Sequence, residues 1–241
     1  MASEALEFYR RLHQISDSEL RRKRLEEEIA PVHRRVQLFS EMIATVHSIA
    51  AVRESYLLFC EIAPTLVGDY DWVAETYGEA QRQGALELCV ALLHPRAHRD
   101  ITPDEVERDL NRLDDTLGER KTKARRSRGE RLERLLLDPA PSVVELLLDN
   151  PGMSLAWTLR IASRRPNYAA LLTLIMGHRR WVRLPDVQLS LARNPYMPTG
   201  LAMFLLPLLS GQTLREIEAD GTLAPEVRDF ALKLRSRGIV C

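Results

Sequence analysis

Prolines spaced through the second half of the chain limit what it can fold into. A proline has no backbone N–H and a fixed φ, so within regular structure it suits the first turn of a helix and little else. Helix starts are expected at Pro141, Ser154, Pro166, Pro185, Pro198, Thr213 and Pro225. Most of the proline-led ones follow one rule, a proline in the first turn and then an apolar stripe of two to three turns. Asx-Pro steps recur at Asp138-Pro139, Asn150-Pro151 and Asn194-Pro195, where each disfavours helix at the Asx and opens a turn. The unit from Leu137 through Pro141 to Leu148 matches that from Arg193 through Pro198 to Leu206, apart from one inserted residue. Short helices punctuated this way cannot bury their apolar faces alone and must stack on neighbours. The expected fold is all-α, an irregular α-solenoid of short helical hairpins preceded by an N-terminal helical region.

Strand signals are nearly absent elsewhere too. Apolar spacing predicts helices near 3–13, 17–29, 32–51, 53–66, 70–82 and 84–93, as in Val36, Phe39, Ile43, Val46 and Ile49. Capping boxes are expected at Ser16-x-x-Glu19, Thr102-x-x-Glu105 and Thr213-x-x-Glu216, the second reinforced by Pro103. From Thr102 one long helix is expected, with Val106, Leu110, Leu113 and Leu117 lying against a neighbour and a stop at Gly118. Residues 118–129, with Ala124 as their one apolar side chain, read either as a solvated helical stretch or as a linker. The expected division is 1–101 as the N-terminal helical region, 102–137 as a charged connector and 138–241 as the repeats.

Segment 117–235 resembles the HEAT-like and leucine-rich-repeat-variant helical proteins common in bacteria. The resemblance rests on Leu136-Leu137-Asp138-Pro139, the Asn-Pro steps at 150 and 194, Arg165-Pro166, Leu205-Leu206-Pro207-Leu208-Leu209, and the ending around Leu214–Ile217 and Leu223–Arg228. It implies stacked helix pairs serving as a binding surface. The repeat spacing is irregular, and no cysteine cluster of the iron–sulfur type precedes the repeats. Residues 1–100 match no family pattern.

Composition narrows the function classes. Lysine plus arginine balance aspartate plus glutamate at 34 each, so any attraction for a polyanion must come from a local patch. The longest apolar run, Leu201–Leu209, is interrupted by Pro207 and falls short of a membrane span. With no apolar signal core at the start, a soluble cytoplasmic protein is expected. Cys60, Cys89 and Cys241 are too far apart for a disulfide framework or a zinc motif, so Cys60 and Cys89 read as small core residues and Cys241 as exposed.

The most unusual local feature is the basic run Arg120, Lys121, Lys123, Arg125, Arg126, Arg128, Arg131 and Arg134. Guanidinium groups bind carboxylates and phosphates bidentately, so the run is a candidate contact surface as well as a candidate solvated face. Arg179-Arg180-Trp181 joins two repeat helices and has the composition of a binding hot spot, although Trp181 also suits a plug between helix pairs. Trp157 reads as core. His94, His98 and Asp100 have metal-ligand chemistry, but Pro95 breaks the helix that would align the two imidazoles, leaving an ordinary loop. Asp69-Tyr70-Asp71-Trp72 offers carboxylates beside aromatics, as HEAT-like DNA glycosylases do around an extruded base, and serves equally as a helix start. No common catalytic motif occurs.

The expected function is therefore non-catalytic protein binding, with no cofactor or metal. The expected contact residues are Arg120, Lys121, Lys123, Arg125, Arg126, Arg128, Arg179, Arg180 and Trp181, and the expected partner is a protein with an acidic surface. The alternative is a nucleic-acid-binding HEAT-like protein with glycosylase-like activity. A homodimer through the N-terminal helices is a further possibility.

Overall fold

The computed structural model describes residues 4–238. Among these the chain is all-helical, and extended pairing is confined to one isolated bridge between Ala97 and Pro198. The N-terminal helices are α1 (Glu4–Gln14), α2 (Ser18–Ile29), α3 (Val32–Thr45), α4 (Ala50–Leu66), α5 (Tyr70–Gln83) and α6 (Leu86–Leu93). Their positions follow the apolar spacing closely. The expected helix over 32–51 instead ends at Thr45, and a turn through 46–49 starts α4 earlier than predicted. At the start of α2, Asp17 rather than Ser16 is the cap, its carboxylate accepting from the Leu20 N–H at 2.8 Å. As the cap, the Asp17 carboxylate also lies favourably at the positive end of the helix dipole.

The expected long helix from Thr102 is two helices, α7 (Pro103–Leu110) and α8 (Leu117–Arg126). The Thr102 box forms as read, with both reciprocal bonds. A second box, Thr116-x-x-Glu119, starts α8 and moves the break upstream of Gly118. The predicted apolar stripe is not buried, because Leu110 and Leu117 are exposed. Segment 118–129 is thus mostly helix, followed by α9 (Glu130–Glu133) and a 3-10 turn (Arg134–Leu137).

The remaining helices are α10 (Pro141–Leu148), α11 (Leu155–Ser163), α12 (Ala169–Gly177), α13 (Pro185–Ala192), α14 (Thr199–Leu205), α15 (Gly211–Ala219) and α16 (Pro225–Ser236). Pro141, Pro185 and Pro225 each occupy the first helical turn as expected. Pro166 does not, because α12 begins at Ala169. Thr213 does not open α15 either. Ser210 caps that helix and accepts the Thr213 N–H at 3.2 Å, which places Thr213 inside the first turn and excludes the expected box with Glu216.

Helices α8, α10 and α12 pack in succession, and so do the 134–137 turn, α11 and α13. α4 then packs against both α12 and α14, and α14 against α6 and α16. The core is continuous across this junction. Phe59 of α4 lies between Phe39 at 4.1 Å and Phe204 at 5.1 Å between ring centroids, and the Tyr56 hydroxyl donates to the Phe204 carbonyl at 2.9 Å. Gly200 allows the closest approach, since a Cβ there would lie 2.1 Å from the Ala91 carbonyl oxygen. Its N–H donates to the His94 carbonyl at 2.8 Å, so the 94–99 loop is held by its backbone.

The Asx-Pro steps do more than end helices. Asn150 donates its amide to the carbonyls of Ala124 at 2.6 Å and Ser127 at 3.1 Å, which closes the end of α8. Asn194 donates in the same way to Ala162 at 2.7 Å and Arg164 at 3.1 Å, at the end of α11. In both, the side-chain oxygen accepts an N–H two residues on, from Gly152 or Tyr196. Each buried amide thereby satisfies orphan carbonyls that a helix end leaves unpaired.

Candidate functional site

The basic run divides in two once its environment is known. Arg120 faces inward at 8% exposure, and its Nη1 bonds both carboxylate oxygens of buried Asp138, at 2.5 and 2.6 Å. Asp138 holds the Asx position of its turn, accepting from Ala140 N–H at 2.9 Å. A carboxylate cannot donate to carbonyls as Asn150 and Asn194 do, so its free charge needs a cation. Arg120 is therefore a structural ion pair rather than a contact residue, with Nε left without a partner. Lys123 pairs with Asp115 at 2.5 Å.

Lys121, Arg125, Arg126, Arg128, Arg131 and Arg134 stand apart. Among the described residues none of their side chains forms an ion pair or hydrogen bond, and all but partly buried Lys121 are exposed. Elsewhere the arginines are mostly engaged, as in Arg22–Glu26, Arg34–Glu28 and Arg193–Glu216. α8 buries only Arg120 and Ala124, one turn apart, so a single seam meets α10 and the rest of the helix faces outward. Three basic residues, Lys123, Arg125 and Arg126, fall in its last turn, where cations complement the helix dipole.

Trp181 is only 1% exposed, and its indole N–H donates to the Leu148 carbonyl at 3.0 Å. It belongs to the core and offers no contact surface, which corrects its place among the candidate residues. Arg180 lies over the Trp181 ring at 4.2 Å and donates to the Met153 carbonyl at 3.2 Å. Arg179 is exposed, and among the described residues its one side-chain hydrogen bond is to the Ser18 hydroxyl at 3.5 Å. Arg128 and Arg180 border the same turn, 150–153, since a Cβ at Gly152 would lie 3.6 Å from Cγ of Arg128.

His178 adjoins this surface. Its Nδ1 accepts the Arg180 N–H at 3.2 Å, which assigns the ring proton to Nε2, 3.2 Å from Asp149. Burial holds this imidazole below its ordinary protonation range, with Asp149 opposing. Glu61 is shifted upward by burial, against the attraction of Arg183, Arg22 and Arg179.

The other candidates have structural partners. Asp69 caps α5, accepting from the N–H groups of Asp71 at 3.0 Å and Trp72 at 3.1 Å. Among the described residues no group of three histidine, cysteine or acidic side chains could hold a metal ion. Cys60 and Cys89 are buried free thiols, and Cys241 lies outside the described residues. No helix of the described residues is long and apolar enough to cross a membrane. No protein family, curated protein or solved structure matches the chain.

Proposed function

We propose that this chain is a non-catalytic binding protein, with an irregular HEAT-like α-solenoid as its second half and its contact surface on the basic outer side of α8 and α9. The observation that carries this reading is the set of cations at Lys121, Arg125, Arg126, Arg128, Arg131 and Arg134 without intramolecular carboxylate partners. Two rows of stacked helices support the solenoid, and α8 with the 134–137 turn starts them. A terminal repeat needs a polar outer face for solubility, which a mixture of both signs would provide equally well. A face of unpaired arginines goes beyond that need and suits an acidic partner surface. Arg179 and Arg180 extend it around the 150–153 turn.

The same cations would fit nucleic-acid phosphates, which is the second reading. Salt dependence separates the two. Nucleic acid binding through these residues gives a log–log slope of roughly 0.9 per phosphate neutralised. The protein-partner reading predicts capture that survives nuclease treatment. Capture abolished by nuclease would reject it in favour of nucleic acid.

A further inference from the structure

A second group of arginines lies on the seam where the N-terminal helices meet the repeats. A cleft of about 340 Å³ between α2, α4 and the 178–184 turn is lined by Ser18, Glu19, Arg21, Leu58, Glu61, Arg179, Arg180 and Arg183. That volume falls within the range of small-molecule sites. We propose that this cleft binds a small phosphate-bearing ligand, held by Arg21, Arg179 and Arg180.

The support lies in what these three guanidiniums do not touch. Arg21 donates to the Ile15 carbonyl, Arg180 to the Met153 carbonyl, and Arg179 only to the Ser18 hydroxyl at 3.5 Å. None has a carboxylate within ion-pair distance, although Glu19 and Glu61 line the same cleft. Arg183, by contrast, is neutralised by Glu54 at 2.7 Å. Each of the three keeps spare N–H donors, because a guanidinium has five. A phosphate monoester brings close to two negative charges and three acceptor oxygens, enough to engage several guanidiniums at once, whereas a carboxylate has one charge and two oxygens. The carboxylate of Glu61 would oppose such a ligand, and burial already disfavours its charge. A bound phosphate would also bridge α2 to the 178–184 turn.

Calorimetric titration of the full chain with inorganic pyrophosphate tests this, with succinate as the carboxylate comparison. Arg125→Glu, Arg126→Glu and Arg128→Glu together reverse the charge at three positions of the outer basic face, none of which lines the cleft. Saturable pyrophosphate binding is expected in wild type and in this triple variant. Arg179→Glu should weaken it at least about tenfold, since a charge-assisted donor becomes a repelling acid. Arg179 has only one long contact, so the substitution should leave helical content unchanged. Glu61→Gln should tighten binding. Three outcomes overturn the proposal: no saturable binding, binding lost in the triple variant but kept in Arg179→Glu, or succinate bound as tightly as pyrophosphate.

Discussion

Single side chains decide how this fold closes its helix ends. Asn150 and Asn194 donate to carbonyls of an earlier helix while accepting from their own turn. Alanine at 194 strands buried carbonyls, and an expected loss of about 1–3 kcal/mol in urea unfolding checks it. Aspartate there should cost at least as much, because a carboxylate faces oxygens it cannot donate to. At Asp138 that acid is native and Arg120 balances it. Arg120→Met alone should cost about 3–5 kcal/mol by leaving a buried charge, and adding Asp138→Leu should recover most of it. Chemical denaturation of the single and double variants measures this, and failure of the second change to rescue would reject the account of the pair. The Asx-Pro steps were legible in the sequence as breaks. Their reach to another helix was not, since the accepting carbonyls of Ala124 and Ala162 have no side-chain signature. The withdrawal of Arg120 and Trp181 from the surface was hidden for the same reason, because burial depends on partners distant in sequence.

A related rule governs neighbouring elements. A polar side chain near the start of one helix repeatedly donates to a carbonyl six residues back, in the last turn of the previous helix or in the link that follows it. Arg21 reaches Ile15, Arg35 reaches Ile29 at 2.8 Å, and Asn167 and Gln188 reach Ile161 and Val182 at 2.7 Å each. The residue type varies because only a donor is required, so no sequence motif announces it. Buried Arg35 needs no acid on these terms. Its guanidinium also bonds the Ala30 carbonyl and the Thr76 hydroxyl and lies 4.7 Å from the Trp72 ring centre. Element positions are legible in the sequence where apolar spacing and proline agree, and less so where capping chemistry decides. Thr116→Ala should cost about 1 kcal/mol by removing the α8 cap, with the loss read as lower stability of residues 117–126 in hydrogen exchange. Gly200→Ala should cost about 1–3 kcal/mol or more, because its Cβ would meet the Ala91 backbone, which cannot rotate aside. A thermal midpoint unchanged by that substitution would contradict the packing of α14 on α6.

At the scale of the molecule, a core shared by α4, α12 and α14 joins the N-terminal helices to the helices that follow and leaves charged surfaces at the seam and on α8. The seam carries a pH dependence. The fold favours the neutral form of His178, so its contribution is complete above the ordinary imidazole value of about 6.5 and is lost as pH falls through the lower folded-state value. His47 is shifted the same way by burial and adds to the trend. Urea midpoints should therefore decline below pH 6.5, less steeply in His178→Gln. An unchanged slope would remove His178 from the account. The proposed contact surface is the basic face of α8 and α9. The most direct measurement is affinity capture after nuclease treatment, comparing wild type with two variants of equal net charge. One carries Arg125→Glu, Arg126→Glu and Arg128→Glu. The other carries Arg10→Glu, Arg11→Glu and Lys23→Glu, exposed cations on α1 and α2 that also lack partners. The account predicts a protein captured by wild type and by the second variant and lost from the first. Equal capture by both variants, or loss from both alike, would contradict a contact surface on α8 and α9.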